Sequence, residues 1–269
     1  MTCAKAPSNK AKIARRVIEV LEYFDDEHRE ATVMDIVRRY DRPQSSTSEL
    51  LSSLVELGLL YKDPWSRSYS LSPRAALIGS SGQSDMVRDG RLIRLMDRLV
   101  AQTGLSVALF GRVNLNLQIV NWRAGTRATS SAPALFGGMQ EPLSQSAIGW
   151  LMLSTVEQPR RDGVLRRLIS EARDELKVPF PTLSAQVNQC SDAAFAQGPA
   201  GFDSPSKAVG VLLPGQPLDH PLAIGFVYGA DSQIKPESLL VCLNEAIEHC
   251  LVATVEFEPA KVEKLPTAA

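Results

Sequence analysis

The chain of 269 residues carries 29 Lys and Arg against 30 Asp and Glu, and 44% of its residues are hydrophobic. This length exceeds a single small module and suits two domains, each able to bury its own core. The near-zero charge balance excludes a surface coated in positive potential, so any nucleic-acid contact must rest on locally placed cations.

Residues 1–10 are polar and small and are expected to be disordered. Ile13, Val17, Val20, Leu21 and Phe24 recur at helical spacing, which predicts a helix over 11–24 that ends in the acidic run at 25–30. Thr32 followed by Asp35 forms a capping-box start for a helix over 33–40. Asp41, Arg42 and Pro43 make a turn, because the proline disfavours helical geometry at Arg42. A third helix starts at Ser45 or Ser46, buries Leu50, Leu51, Leu54 and Leu57, and stops at Gly58. Residues 59–62 and 68–71 read as short strands joined by Asp63-Pro64-Trp65-Ser66-Arg67. That order is a winged helix-turn-helix, a unit whose usual partner is duplex DNA.

Residues 72–84 are rich in small and polar residues and mark a boundary. Beyond it the pattern predicts one long helix over 85–103, strands at 105–110 and 115–122, and a long loop over 128–142. Helices at 142–154, 163–176 and 182–197, strands at 207–213 and 222–228, and a final helix over 235–257 complete it. The expected domains are therefore a disordered 1–10, a winged helix-turn-helix at 11–73, a linker at 74–84, a second domain at 85–257 and a flexible tail at 258–269. Neither a GxGxxG nor a P-loop is present, and an antiparallel sheet covered by helices, α+β, is the expected second architecture.

The run PQSSTSELLSSLVELGLLYKDPWSRSYSLSPRAALIG at 43–79 resembles the DNA-binding domain of IclR-type bacterial transcription regulators. The likeness extends over residues 12–79 and joins a Pro-x-Ser-Thr start, a Leu-Leu pair, a Leu-x-x-x-Gly end and a wing closing on Tyr-x-Leu. Further on, PLSQSAIGWLML, AFAQGPAGFDS and LAIGFVYGADSQIKPE resemble segments of that family's effector-binding domain. The resemblance implies an N-terminal winged helix-turn-helix domain and a C-terminal GAF-like sheet domain covered by helices.

A recognition helix enters the major groove by its N-terminal turns. The leucine stripe leaves Gln44, Ser45, Ser48, Glu49, Ser52 and Ser53 outward. Gln44 can bond adenine or phosphate, and Ser45, Ser46, Thr47 and Ser48 can bond phosphate at the helix start. Glu49 departs from the family, which commonly has an arginine there. It either accepts from cytosine or closes a Ser46-x-x-Glu49 capping box. Lys10, Lys12, Arg15, Arg16, Arg38, Arg42, Lys62 and Arg67 are the candidate phosphate contacts. In the second domain the resemblance implies a pocket between the helix at 144–153 and the sheet, with Ser144, Ser146, Ala147, Ile148 and Asp203. Phe226 and Tyr228 fall where family members that bind small organic acids carry hydroxyls. They either favour an aromatic or apolar ligand or fill the pocket themselves.

Cys3, Cys190, Cys242 and Cys250 show no CxxC pair, and the three histidines, His28, His220 and His249, form no metal or catalytic spacing. No catalytic residue, metal or cofactor is expected, nor any membrane span. The expected partners are double-stranded DNA with a pseudo-palindromic operator, a small organic effector and further copies of the chain as a homodimer or tetramer, in the cytoplasm. The effector would act by biasing the spacing of two reading heads through residues 80–103. The alternative is a non-enzymatic sensing or dimerisation module whose winged domain no longer binds DNA specifically; the near-neutral charge and Glu49 favour it.

Overall fold

The apolar stripe of the first helix requires a partner, and in the computed structural model that partner is the turn-helix unit that follows. The structure describes residues 9–25, 28–127, 135–217, 219–230 and 232–252, and the chain divides into units spanning 1–88 and 89–269. In the first unit, α1 (Asn9–Tyr23), α2 (Val33–Tyr40) and α3 (Gln44–Glu56) close a core of Val20, Ile36, Leu51 and Leu54. Strands β1 (Leu60–Lys62) and β2 (Tyr69–Leu71) add Leu60 and Tyr69 to it as an antiparallel hairpin. Ala31 bridges Tyr69 from the loop before α2, a contact the sequence does not announce.

Local chemistry explains the boundaries. The Thr32 backbone N–H and hydroxyl donate to the Asp35 carboxylate at 2.8 and 2.7 Å, and the Thr32 N–H foremost holds that carboxyl below its usual range. Asp41 ends α2 in left-handed geometry. Pro43 is extended and serves as N-cap of α3, which therefore begins at Gln44, earlier than the serines marked in the sequence.

The boundary region is more ordered than a polar linker. It contains α4 (Pro73–Leu77) and a short 3-10 turn at Ser80–Gly82. The helix expected over 85–103 is broken into α5 (Asp85–Arg88) and α6 (Arg91–Thr103). Asp89 accepts the Arg91 N–H at 3.0 Å and Gly90 takes the N-cap position, so the Asp-Gly pair restarts the helix.

The second unit is built on six strands: β3 (Ser106–Val113), β4 (Asn116–Arg123), β5 (Gln140–Pro142), β6 (Phe195–Gly201), β7 (Ser204–Leu212) and β8 (Leu222–Tyr228). Their order is β5-β4-β3-β8-β7-β6, antiparallel throughout. The sequence reading missed β5 and β6. Gly-Pro-Ala-Gly at 198–201 is a poor strand former, tolerated because β6 lies at the sheet edge. The helix expected at 142–154 is a 3-10 turn followed by α7 (Ala147–Ser154). The next two are α8 (Arg160–Glu171) and α9 (Phe180–Ala193), and the last is α10 (Pro236–Ile247), which continues as a wider turn to Val252. Residues 1–8, 128–134 and 253–269, where a disordered start, part of a long loop and the tail were expected, lie outside the described residues.

Strand alternation separates two cores. Ala108, Phe110, Ala208, Ala223 and Val227 face α7, α8 and α9, whereas Val107, Leu109, Val209, Ile224, Phe226 and Tyr228 face α6 and α10. Among the described residues no helix is long and apolar enough to cross a membrane. Leu51 is fully buried in the first core. Leu51→Ala is expected to destabilise that unit by about 2–5 kcal/mol. Amide exchange should then accelerate in α1–α3 and the hairpin, with the six-stranded sheet unchanged.

Candidate nucleic-acid interface and effector site

Helix α3 turns Thr47, Leu51 and Leu54 inward and leaves Gln44, Ser45, Glu49 and Ser52 exposed, with Ser46 and Ser48 half-buried. Thr47 therefore departs from its expected role as a phosphate ligand. It is 1% exposed and its hydroxyl donates to the Pro43 carbonyl at 3.0 Å. The Ser46–Glu49 capping box does not form either. With the N-cap at Pro43, Ser46 lies inside the first turn, where its hydroxyl donates to the Pro43 carbonyl at 3.2 Å. The Glu49 carboxylate stands exposed, with no hydrogen bond or ion pair among the described residues, while its backbone carbonyl accepts the Ser53 hydroxyl at 3.0 Å.

The cations separate into two sets. Arg42 pairs with Glu19 of α1 at 3.0 Å, and Arg16 donates to the Ser46 hydroxyl at 3.2 Å, so both brace the unit from within. The Tyr40 hydroxyl also donates to the Glu19 carbonyl at 2.6 Å, which ties the end of α2 to the same turn of α1. Lys12, Arg15, Arg38, Lys62 and Arg67 are exposed, with the Lys62 ammonium 5.5 Å from the Tyr69 ring centre. The Lys10 side chain lies outside the described residues. In the β1–β2 turn the Asp63 carboxylate accepts from the Trp65 N–H at 2.8 Å and the Ser66 hydroxyl at 2.9 Å.

The expected effector residues do not converge on one cavity. Ser144, Ser146, Ala147 and Ile148 are buried at the start of α7, where the Ser146 hydroxyl caps the helix by accepting from the Gly149 N–H. The Ile148 Cδ1 lies 2.7 Å from where a Cβ on Gly210 would stand, so this helix start is packed on the sheet. Phe226 and Tyr228 lie on the opposite face of the sheet, against α6 and α10, and cannot wall a pocket under α7. Asp203 is exposed in the β6–β7 turn.

Two features were missed. Glu141 of β5 is 9% exposed, and its Oε2 accepts the Phe202 N–H at 2.5 Å while Oε1 is buried without a partner. Gly201 passes so close that a side chain there would overlap the carboxylate. Desolvation pushes this carboxyl up to about 6, opposed by the Phe202 N–H and the nearby Ser146 hydroxyl and aided by the Asp203 charge. A signal existed in the sequence, since Glu141 is the one charged residue between Arg127 and Glu157. The second feature is a cleft of about 1030 Å³ whose lining includes Arg112, Leu115, Val156, Arg160, Val164 and Arg167. Arg167 pairs with Glu171 at 2.7 Å and Arg112 donates to the Asp219 carbonyl at 3.5 Å, but Arg160 has no partner among the described residues. Its walls come from well-separated segments, which no local pattern joins.

The sequence profile of the IclR helix-turn-helix domain matches residues 14–64. The HTH-type transcriptional regulator TsaQ1/TsaQ2 of Comamonas testosteroni is 29% identical over 120 residues, which span 45% of this chain and 42% of that one. An IclR homolog from Microbacterium hydrocarbonoxydans, solved in complex with 4-hydroxybenzoate, superposes with a TM-score of 0.60 at 18% identity, over 90% of this chain and 100% of that one. Residues 14–64 thus carry an IclR-type helix-turn-helix domain. The IclR-type fold is seen again in the regulator of Alicyclobacillus acidocaldarius, with a TM-score of 0.58 at 20% identity, over 91% of this chain and 98% of that one. At these identities the structural likeness speaks for the fold alone.

In the second unit the buried Glu141 links fold stability to pH. The fold disfavours its ionised form, so the penalty is absent below the ordinary value of 4.5 and complete above about 6. A rise of that size corresponds to about 2 kcal/mol. Glu141→Gln keeps an acceptor for Phe202 and is expected to stabilise the second unit by up to about that amount above the transition. Below pH 4.5 it should give no gain, as read from urea melts at the two extremes.

Proposed function

We propose that this IclR-type chain regulates transcription by binding duplex DNA through α3 and the β1–β2 wing, with operator binding modulated by a small organic effector. One observation carries the reading: α3 buries Leu51 and Leu54, leaves Leu57 of the expected stripe exposed at its end, and presents Gln44, Ser45, Glu49 and Ser52 outward. Exposed Arg15, Arg38, Lys62 and Arg67 belong to the same unit. Such a face can hydrogen-bond base edges and phosphates at the positive end of a helix. Its charge is weak for the task, so the active form is a homodimer or tetramer on a pseudo-palindromic operator in the cytoplasm.

The effector in this reading is an organic acid with an aromatic or apolar body. The 4-hydroxybenzoate bound to the Microbacterium homolog supports that class. So does the cleft that combines unpaired Arg160 with Leu115, Val156 and Val164. Guanidinium suits a carboxylate, and the apolar walls suit a ring. Full-length protein is expected to gain thermal stability from 4-hydroxybenzoate or a related aromatic acid, and Arg160→Ala to lose that gain while melting normally alone. A shift that survives in Arg160→Ala moves the effector out of the cleft.

The rival reading, a dimerisation module that no longer reads DNA, is favoured by the exposed carboxylate of Glu49 on the presented face. Gel shifts with the DNA upstream of the chain's own gene separate the two. Arg15, Arg38, Lys62 and Arg67 in each of two heads, at about 0.9 per phosphate contact, give a slope of log K against log salt near −7. Retarded DNA with that slope supports the regulator; a stable dimer that retards no duplex supports the rival.

A further inference from the structure

We propose that Trp65 is an apolar wedge with which the wing enters the minor groove of duplex DNA and unstacks a base step. The proposal rests on the DNA-binding reading above and adds a contact that the cations do not supply. Trp65 is 92% exposed at the tip of the β1–β2 turn. The chain's other two tryptophans, Trp122 and Trp150, pack against the sheet core. Leaving an indole in water forgoes one of the largest burial gains any side chain offers.

The turn is built without help from the indole. Asp63 accepts from the Trp65 N–H and the Ser66 hydroxyl, the Asp63 N–H donates to the Ser68 carbonyl at 2.9 Å, and the Ser68 hydroxyl donates to Glu30 at 2.9 Å. The hairpin is fastened to the end of α3, since the Leu59 N–H donates to the Leu54 carbonyl and the Ser72 hydroxyl to the Gly58 carbonyl. Trp65 is thus held out on a rigid arm fixed to the proposed reading helix. Exposed Lys62 and Arg67 flank it, one on each side of the turn. This pairing of cations around an apolar tip matches a groove walled by phosphates. Apolar side chains at such positions insert between base steps, and the indole N–H can donate to minor-groove acceptors.

The test uses full-length wild type, Trp65→Ala and Trp65→Phe on an upstream duplex that the wild type retards. Absence of any retarded duplex for the wild type defeats the DNA-binding reading, and this proposal with it. Where the wild type binds, Trp65→Ala is expected to weaken affinity about tenfold or more, the scale of one lost base–aromatic stack. The loss should be equal at about 50 and 200 mM salt, because no phosphate contact is removed. Trp65→Phe should retain most of the affinity, and end-to-end energy transfer across the duplex should report a smaller bend with Trp65→Ala. Unchanged affinity and bend for Trp65→Ala overturn the proposal. So does a drop in oligomer mass by light scattering with DNA affinity intact, which would assign the indole to a second copy of the chain.

Discussion

The pairing of Arg42 with Glu19 fixes where the third helix of the first unit can lie. Arg42 sits in the turn between α2 and α3, Glu19 lies on α1, and the Glu19 carbonyl also receives the Tyr40 hydroxyl. A half-exposed pair of this kind contributes little net stability, since screening and side-chain ordering offset its attraction. Its value is geometric. The Arg42 Nε is buried without a partner, so the guanidinium is bound to this place by its one carboxylate. Arg16 braces the same junction through Ser46, one turn into α3. The angle at which α3 presents Gln44 and Ser45 therefore depends on two arginines that a residue count would assign to phosphate.

The first unit was legible because its rules are local. A Thr-x-x-Asp box, a proline turn, a leucine stripe and a glycine stop each act within a few residues, and each gave an element where the fold has one. The error at Ser46 and Glu49 was also local. Two candidate caps stood side by side, and extended Pro43 took the position, shifting the serines into the helix. Thr47 then fell on the buried side, one turn before Leu51.

The second unit was legible in kind and not in detail, for a different reason. Strand β8 is covered on both faces, so Ala223 to Tyr228 form one continuous buried run with no period of two. Nothing in such a run tells which residues face which layer, and Phe226 and Tyr228 were assigned to the wrong side of the sheet. Strand β6 hid for the opposite reason, since its glycines and proline carry almost no strand signal. Glu141 needed both missing strands. Its burial arises where β5 meets the β6–β7 turn and the start of α7, three segments that only the finished sheet brings together.

The electrostatics of the first unit constrain how the proposed regulator discriminates among DNA sites. Binding to arbitrary sequence is almost wholly a matter of phosphate neutralisation, and a genome offers a vast excess of such sites. A head that holds Arg16 and Arg42 inside its own fold and exposes Glu49 keeps that background attraction low. Affinity must then come from terms that a single random site does not satisfy: hydrogen bonds from the start of α3, an apolar contact at the wing, and simultaneous engagement of two heads. The last converts the second binding event into an intramolecular one and is lost when the half-site spacing is wrong. Weak charge is in this sense a source of selectivity, because it leaves geometry as the largest difference between the operator and everything else.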